Sequence, residues 1–279
     1  MKEPEPFVDT RTAGLLGPAR SPGSSVVIVT YNNEGCIGDC LHSVLMTLGE
    51  GEEVIVVDNA SEDGTVREVR SFQQRTRRLH LLESDTNLGY AAGANVGLKA
   101  SAGKWLVLLN PDTAVWPRWL EKMRRAFSEE VGAVAPMSDN VGGRQLIGEV
   151  LEVGRPLGEI QDVLTERFAG TTEETKLLFG VCLMLPRSLL DRIGLLDEDL
   201  FLGNDDLELS WRIRTHSLKL VVVRDVFVHH LNHVSFNSMS SSNVHDLISQ
   251  SSRALDAKLN AYYGRTPTSE EIWGVTFRG

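Results

Sequence analysis

Ser25-Val26-Val27-Ile28-Val29-Thr30-Tyr31-Asn32-Asn33 is the stretch on which the fold of this 279-residue sequence turns. A short β-branched run that ends abruptly in polar residues has the pattern of a strand buried on both faces of a parallel sheet. Cys36 to Leu48 follows with apolar residues at 37, 41, 44, 45 and 48, the spacing of a helix laid against that strand. The same alternation continues outward. Strands are expected at 54–57, 79–82, 105–109 and 131–135, with helices over 63–75, 91–100 and 118–127 between them. Strands separated by helices of this length predict an α/β fold, with a Rossmann-like, mostly parallel sheet flanked by helices and right-handed crossovers. No internal repeat suggests a solenoid or propeller.

The rhythm breaks over 137–175, which is polar, glycine-containing and of mixed sign, and reads as a variable insertion, either a loop or a small subdomain. Order returns with a strand over 177–185, helices at 188–193 and 206–215, and strands at 218–223 and 226–229. A serine-rich link, Ser238 to Ser242, leads to a C-terminal helical extension from about 244 to 263, with an apolar stripe at 244, 247, 248, 255, 259 and 262. The expected organisation is a flexible leader over 1–24, one domain over 25–235, and a linker and helix over 236–279.

Charge and composition exclude whole classes of function. The chain carries 28 Lys+Arg against 38 Asp+Glu, a formal net charge of −10. That balance argues against a nucleic-acid partner, because binding a polyanion needs a basic face. With 42% hydrophobic and 24% charged residues it has the make-up of a globular protein. Cys36, Cys40 and Cys182 show no metal-binding or disulfide spacing and read as reduced thiols. No segment has the length of a membrane span, and the N-terminal stretch lacks the apolar core of a signal peptide. The expectation is a cytoplasmic protein, with peripheral membrane association and a homo-oligomer both left open.

In open parallel sheets, ligands sit beyond the carboxyl ends of the strands. Polar residues collect at those ends here. The first strand ends in Thr30-Tyr31-Asn32-Asn33, the second in Asp58-Asn59-Ala60-Ser61, and the fourth in Asn110-Pro111-Asp112-Thr113. The third is followed by the run from Asn87 and Gly89 to Asn95. Any one of these could be simple helix capping; four together point to a shared cleft. The segment 87–97 lacks the Gly-Lys-Ser/Thr of a P-loop and no GxGxxG follows the first strand, which disfavours a dinucleotide site. Its small residues at 91–94 and 97 suit either a flat ligand or tight packing of a helix on the sheet.

Asp112 sits in a short turn at a strand end, with Asn110 offering a second oxygen. This suits a hard divalent cation that also binds phosphate and water. Asp205, Asp206 and Glu208 open a helix, where carboxylates complement the dipole. A carboxylate at a cleft rim is also what a general base requires. His229, His230 and His233 follow the last strand, and one imidazole could complete a metal site that suits Mn²⁺ better than Mg²⁺.

Taken together, these segments resemble the family 2 glycosyltransferases, which have the GT-A fold. The resemblance rests on VVIVTYNNEGCIGDCLHSVL (26–45), EVIVVDNASEDGT (53–65), NLGYAAGANVGLKASAGKWLVLLNPDT (87–113), and the run from FLGNDDLELSWRIR to VVVRDVFVHHLNHVS (201–235). It implies an inverting transfer of a hexosyl or deoxyhexosyl group from a nucleoside-diphosphate sugar to an acceptor hydroxyl. Thr30, Tyr31, Asn32, Asp58 and Asn59 would hold the nucleotide, with Asn87, Gly89 and Asn95 nearby. Asn110 and Asp112 would stand at the ends of the family's DXD motif, where Mn²⁺ or Mg²⁺ meets the diphosphate. Asp206 falls on the usual catalytic base, beside Asp205. His229 or His230 falls near the late metal-binding histidine.

The chain departs from the family pattern in two places. Asn110 replaces the first acid of the DXD, and Asp205 replaces a glutamate. The LNPDT form also occurs in rhamnosyl and related transferases of surface polysaccharides, so polysaccharide or other glycoconjugate synthesis is implied. The acceptor stays open between a lipid-linked glycan, a polysaccharide and a protein side chain. A catalytically silent nucleotide-sugar-binding or scaffold protein is the alternative; retention of Asp112 and Asp206 together speaks against it. A nucleotidyltransferase would want a basic, glycine-rich loop where Tyr31-Asn32-Asn33-Glu34 stands. If Asp58, Asp112, Asp205, Asp206 and Glu208 line one cleft, its negative charge makes a divalent cation necessary for binding a diphosphate.

Overall fold

The computed structural model describes residues 5–149, 154–231 and 241–274. Its first half follows from the β-branched runs. β1 (Ser21–Thr30), β2 (Glu53–Asp58), β3 (Leu79–Glu83) and β4 (Gly103–Leu109) pair in parallel, in the order β3-β2-β1-β4. The register sets Val26 beside Val54, Ile28 beside Val56 and Thr30 beside Asp58, so the polar strand ends lie together. α1 (Ile37–Leu45), α2 (Thr65–Gln73) and α3 (Tyr90–Ala100) are the crossovers. Alternation along a strand sends neighbouring side chains to opposite faces. Val27, Val29, Leu106 and Leu108 therefore pack with Ala91, Ala94 and Leu98 of α3. Val26, Ile28, Val54 and Val56 pack with Ile37, Leu41 and Val44 of α1.

The small residues of α3 serve that packing and not a flat ligand. A Cβ on Gly97 would lie 2.4 Å from Val27 Cγ1, and one on Gly93 would lie 3.0 Å from Val29 Cγ1 and from the Asn59 amide. Glycine here lets the helix backbone come down onto the strand.

Beyond β4 the sheet is mixed. β5 (Thr113–Val115), β6 (Val131–Ser138), β7 (Thr172–Thr175), β8 (Cys182–Pro186) and β9 (Lys219–His230) complete, among the described residues, nine strands in the order β3-β2-β1-β4-β8-β6-β9-β5, with β7 on β9. β8 runs antiparallel to both β4 and β6, whereas β6 and β9 are parallel. A strand buried on both faces reads the same in either direction, so the apolar runs predicted strands here but not their sense. The two strands expected at 218–223 and 226–229 are one, with a register shift where Pro136 faces Val223 and Met137 faces Phe227. The strand expected over 177–185 is confined to β8, and 177–181 forms a loop at the cleft.

Residues 137–175 hold the end of β6, α5 (Leu157–Phe168) and β7. α5 is tied to β9 by Gln161, whose Nε2 donates to Asp225 O at 2.8 Å and whose Oε1 accepts from Phe227 N at 2.9 Å. α4 (Trp119–Arg125), α6 (Arg187–Ile193) and α7 (Asp205–Thr215) cover the rest of the sheet.

The described part of the leader is packed, contrary to the expectation of a flexible segment. Phe7 lies 5.0 Å from the Trp211 ring and donates its N–H to Thr215 Oγ1 at 3.0 Å. Arg11 is ion-paired with the buried Asp9 and Asp197. Few apolar residues mark this segment in the sequence, and its anchors are single side chains. At the other end, α8 (Ser241–Tyr263) and α9 (Ser269–Trp273) pack through Leu255, Leu259, Ile272 and Trp273 onto Leu177, Leu200 and Trp211. Most of the expected serine-rich link, and His233, lie outside the described residues. Among the described residues no helix is long and apolar enough to cross a membrane.

Candidate active site

The aligned ends of β1 and β2 build the first part of the site. Thr30 Oγ1 and Ser61 Oγ donate to Asp58 Oδ1 at 3.0 and 2.6 Å, and Ser61 N donates to Asp58 Oδ2 at 2.9 Å. Asn32 adopts a left-handed conformation (φ +54°), which asparagine tolerates, and its N–H donates to Ser61 Oγ at 2.9 Å. Its Oδ1 accepts from Glu62 N at 2.8 Å. Tyr31 is half-buried beside it. Asn59 bridges to the next loop, donating from Nδ2 to Gly89 O at 2.9 Å. In that loop Asn87 Oδ1 accepts from Gly89 N at 2.9 Å. Gly89 is required by its φ of +81° and by the Phe201 carbonyl oxygen, 2.6 Å from where a Cβ would sit.

Next to this cluster opens a cleft of about 670 Å³, lined among others by Tyr90, Asn110, Asp112, Asp139, Asp205, Asp206 and His230. One wall is the Asn110-Pro111-Asp112 turn after β4, against the end of β9. β5 pairs with β9 and sets Thr113 opposite His230, which carries the imidazole to the turn. His230 Nε2 lies 3.3 Å from Asp112 Oδ1 and 3.4 Å from Asn110 Nδ2. On its other side His230 Nδ1 is 2.7 Å from Asn140 O, an acceptor, so hydrogen bonding assigns a proton to Nδ1 and leaves Nε2 facing Asp112. Burial works against a charge on this imidazole, but its bonds to Asp112 and Asn140 and the nearby carboxylates hold its pKa above the ordinary histidine value.

The same cleft is lined by the carboxylates at the start of α7. Asp206 accepts from Gly180 N at Oδ2 (3.0 Å) and from Leu207 N at Oδ1 (2.8 Å), which fixes its orientation. Burial first, and the Asp206 charge second, push the Asp205 carboxyl up to about 8. The Asp206 carboxyl is also raised by burial, against the pull of its backbone hydrogen bonds. Tyr90 also lines the cleft, and burial together with these two acids raises its phenol well above its ordinary range.

The donor set facing the Asn110 turn fits a divalent cation. Two acceptors 3.3 Å apart, a carboxylate oxygen and an imidazole lone pair, need a proton or a cation between them. Neighbouring ligands of an octahedral ion with bonds of ~2.1 Å stand about 3 Å apart, close to this separation. Among the described residues no group of three His, Cys, Asp or Glu side chains could hold a metal by itself. The protein thus offers Asp112 Oδ1 and His230 Nε2, with the Asn110 side chain beside the imidazole.

The structure brings together Asn110, Asp112, Asp205, Asp206 and His230 in one cleft, with Thr30, Asn32, Asp58, Asn59, Asn87 and Gly89 at its side. Three expectations are corrected. Asn95 is fully buried and spent on structure: its Oδ1 accepts from Leu196 N, and its Nδ2 donates to Leu196 O and Glu198 Oε1. His229 is turned away by strand alternation and holds Asp139 Oδ2 at 2.5 Å, so of the two histidines only His230 lines the cleft. Glu208, one turn after Asp205, does not line the cleft; it is buried against Arg212 and Lys258.

Asp139 and Asn140, inside the stretch read as an insertion, are site residues that sequence reasoning missed. Asp139 Oδ1 also accepts from His230 N at 3.0 Å, so one carboxylate ties down both histidines. The signal was present, because Ser138-Asp139-Asn140 is another polar strand end. Tyr90 and the Phe179-Gly180 loop were likewise missed.

Three known proteins place these features in context. The validoxylamine A glucosyltransferase of Streptomyces hygroscopicus subsp. limoneus is 24% identical over 243 residues, 78% of this chain and 54% of that protein. Glycosyltransferase AglE of Haloferax volcanii is 37% identical over 103 residues, 36% of this chain and 34% of its own length. The chain thus spans only a third to a half of the curated relatives it matches. Among solved structures, a mannosyltransferase from Pyrobaculum calidifontis in complex with GDP-Man and Mn²⁺ superposes with a TM-score of 0.57 at 20% identity, covering 93% of this chain and 79% of that one. That likeness establishes the GT-A-like fold. The glycosyl transferase family 2 model matches residues 25–194, which include the parallel half of the sheet and the Asn110-Pro111-Asp112 turn. Since that match covers more than half of the sequence, the chain belongs to glycosyl transferase family 2.

Proposed function

We propose that this chain is an inverting glycosyltransferase that moves a hexosyl or deoxyhexosyl group from a nucleoside-diphosphate sugar to an acceptor hydroxyl. The observation that carries the reading is that Asp205-Asp206 line the same cleft as Asp112, Asn110 and His230. A base and a cation-binding turn within one cleft are what an in-line displacement of a diphosphate at a sugar carbon requires. Membership of the family and the Mn²⁺ and GDP-Man bound by the Pyrobaculum calidifontis mannosyltransferase support it.

Thr30, Asn32, Asp58 and Asn59, with Asn87 and Gly89, hold the nucleoside at the ends of β1 and β2. Asp112 and His230, with Asn110 beside them, would hold a divalent cation, Mn²⁺ or Mg²⁺, which would neutralise charge on the departing diphosphate. Asp206, held by the Gly180 and Leu207 amides, takes the proton of the acceptor hydroxyl. The oxygen bonds to the anomeric carbon as the bond to the diphosphate oxygen breaks, and the configuration inverts. Burial raises the proton affinity of Asp206 above that of an exposed carboxylate, which suits it to take up the hydroxyl proton. The biological setting we infer is surface polysaccharide or other glycoconjugate synthesis. Incubation with a panel of nucleotide sugars and Mn²⁺, read by released UDP, GDP or dTDP, tests the reading; a protein that binds but turns over none of them is a silent member of the fold.

A further inference from the structure

The turn that delivers Asp205 and Asp206 to the cleft is held from behind by α8. Leu202 and Gly203 line the cleft, and Asn204 adopts a left-handed conformation (φ +66°) immediately before α7. An asparagine at this position would ordinarily turn its side chain inward to accept from the first helical N–H groups. Here it makes no such bond. Its Nδ2 instead donates outward to Ser252 Oγ at 3.0 Å, while the Ser252 hydroxyl donates to Ile248 O at 2.9 Å. One residue earlier on α8, Ser251 is fully buried and its Oγ accepts from Leu202 N at 3.2 Å.

A third tie acts one turn into α7. Lys258 Nζ lies 3.0 Å from Glu208 Oε1 and also pairs with Asp197, and Glu208 is buried with Arg212. Ser251, Leu255, Lys258 and Leu259 follow helical spacing, so one face of α8 supplies both the apolar packing and the polar ties. Leu255 and Leu259 seat the helix on the core. The hydroxyls add little apolar area; their bonds go to Leu202 and Asn204, two of the three residues that precede Asp205.

Building on the glycosyl-transfer reading, we infer that Ser251 and Ser252 of α8 are positioning residues for the carboxylate pair. They fix the 202–204 turn so that Asp205 and Asp206 face the cleft. The C-terminal helix is then part of the working site, acting through the turn and not on the substrate.

Amide hydrogen exchange and steady-state kinetics on full-length Ser251→Ala and Ser252→Ala proteins test this. Each variant is expected to speed exchange over residues 200–207 roughly five- to tenfold while residues 26–30 stay protected. The kcat for sugar transfer should fall in parallel with the KM for nucleotide sugar within about twofold of the parent, and Ser252→Thr, which keeps a hydroxyl, should restore both readouts. Unchanged exchange over 200–207, or faster exchange there with an unchanged kcat, overturns the inference. Equal loss of protection at 26–30 also overturns it, because the serines would then stabilise only the fold. Should the parent protein turn over no nucleotide sugar, the glycosyl-transfer reading fails while exchange still decides whether α8 holds the turn.

Discussion

His230 Nε2 faces Asp112 Oδ1 at 3.3 Å, joining the last strand of the sheet to the turn after β4. Neither residue could bind a cation firmly alone. Their meeting depends on β5 pairing with β9 and on Asp139 and Asn140, which hold the histidine from behind.

Asp112→Ala removes the charged oxygen of this pair. Metal-dependent transfer should fall on the order of a hundredfold or more, and nucleoside diphosphate binding in Mn²⁺ should weaken, with the fold intact. Calorimetric titration of UDP or GDP with and without Mn²⁺ checks this. Equal affinities in parent and variant would remove Asp112 from the metal site.

The two histidines should behave differently. His230→Ala is expected to raise the Mn²⁺ concentration for half-maximal activity at least about tenfold, because it deletes the Nε2 that faces Asp112. His229→Ala loses only a bond to Asp139 and should shift that value less. Metal titrations of both variants decide; equal, mild losses would make both histidines structural.

The carboxylate pair sets the pH dependence. A base acts only when deprotonated, and burial raises the Asp206 carboxyl above the ordinary aspartate value, so activity should be lost as pH falls through that raised value and return as pH rises through it. Asp205→Asn leaves Asp206 buried with its Gly180 and Leu207 bonds, so the acidic limb should stay above the ordinary aspartate range. A pH profile of kcat/KM in both proteins tests the sign. A limb at the ordinary aspartate value in either protein contradicts burial as the cause.

Burial of Glu208 and Arg212 makes a stability prediction. Glu208→Leu strands a buried guanidinium, while Lys258 keeps Asp197, and should cost about 3–5 kcal/mol. Replacing Arg212 by leucine as well should recover much of that loss. Urea unfolding measures both; a single-variant loss below about 1 kcal/mol would mean the pair is not desolvated as described.

How far the sequence could be read depended on the kind of signal. The runs at β1, β2 and β4 and the polar residues closing them were legible because a buried strand with a ligand-facing end has a local signature. Asp112 could be picked out for that reason, and Asp205 and Asp206 because they open a helix as a cluster of acids. The direction of β8 was not, since doubly buried strands carry no mark of their sense. Choosing between His229 and His230 needed the register of β9 against β5, a long-range fact. Asn95 looked like a ligand for lack of any sign of Leu196 and Glu198, a hundred residues on, which use up its amide. The role of α8 was equally hidden, because Ser251 and Ser252 resemble any helical serines until the 202–204 turn is set against them.

Glycosyl transfer with Asp206 as base is tested most directly by release of nucleoside diphosphate from a panel of nucleotide sugars with Mn²⁺, in the parent and in Asp206→Asn. The prediction is turnover with at least one donor, and a loss of roughly a hundred- to ten-thousandfold in the variant while nucleotide binding persists. Turnover that survives the substitution unchanged, or no turnover of any donor despite binding, would contradict it.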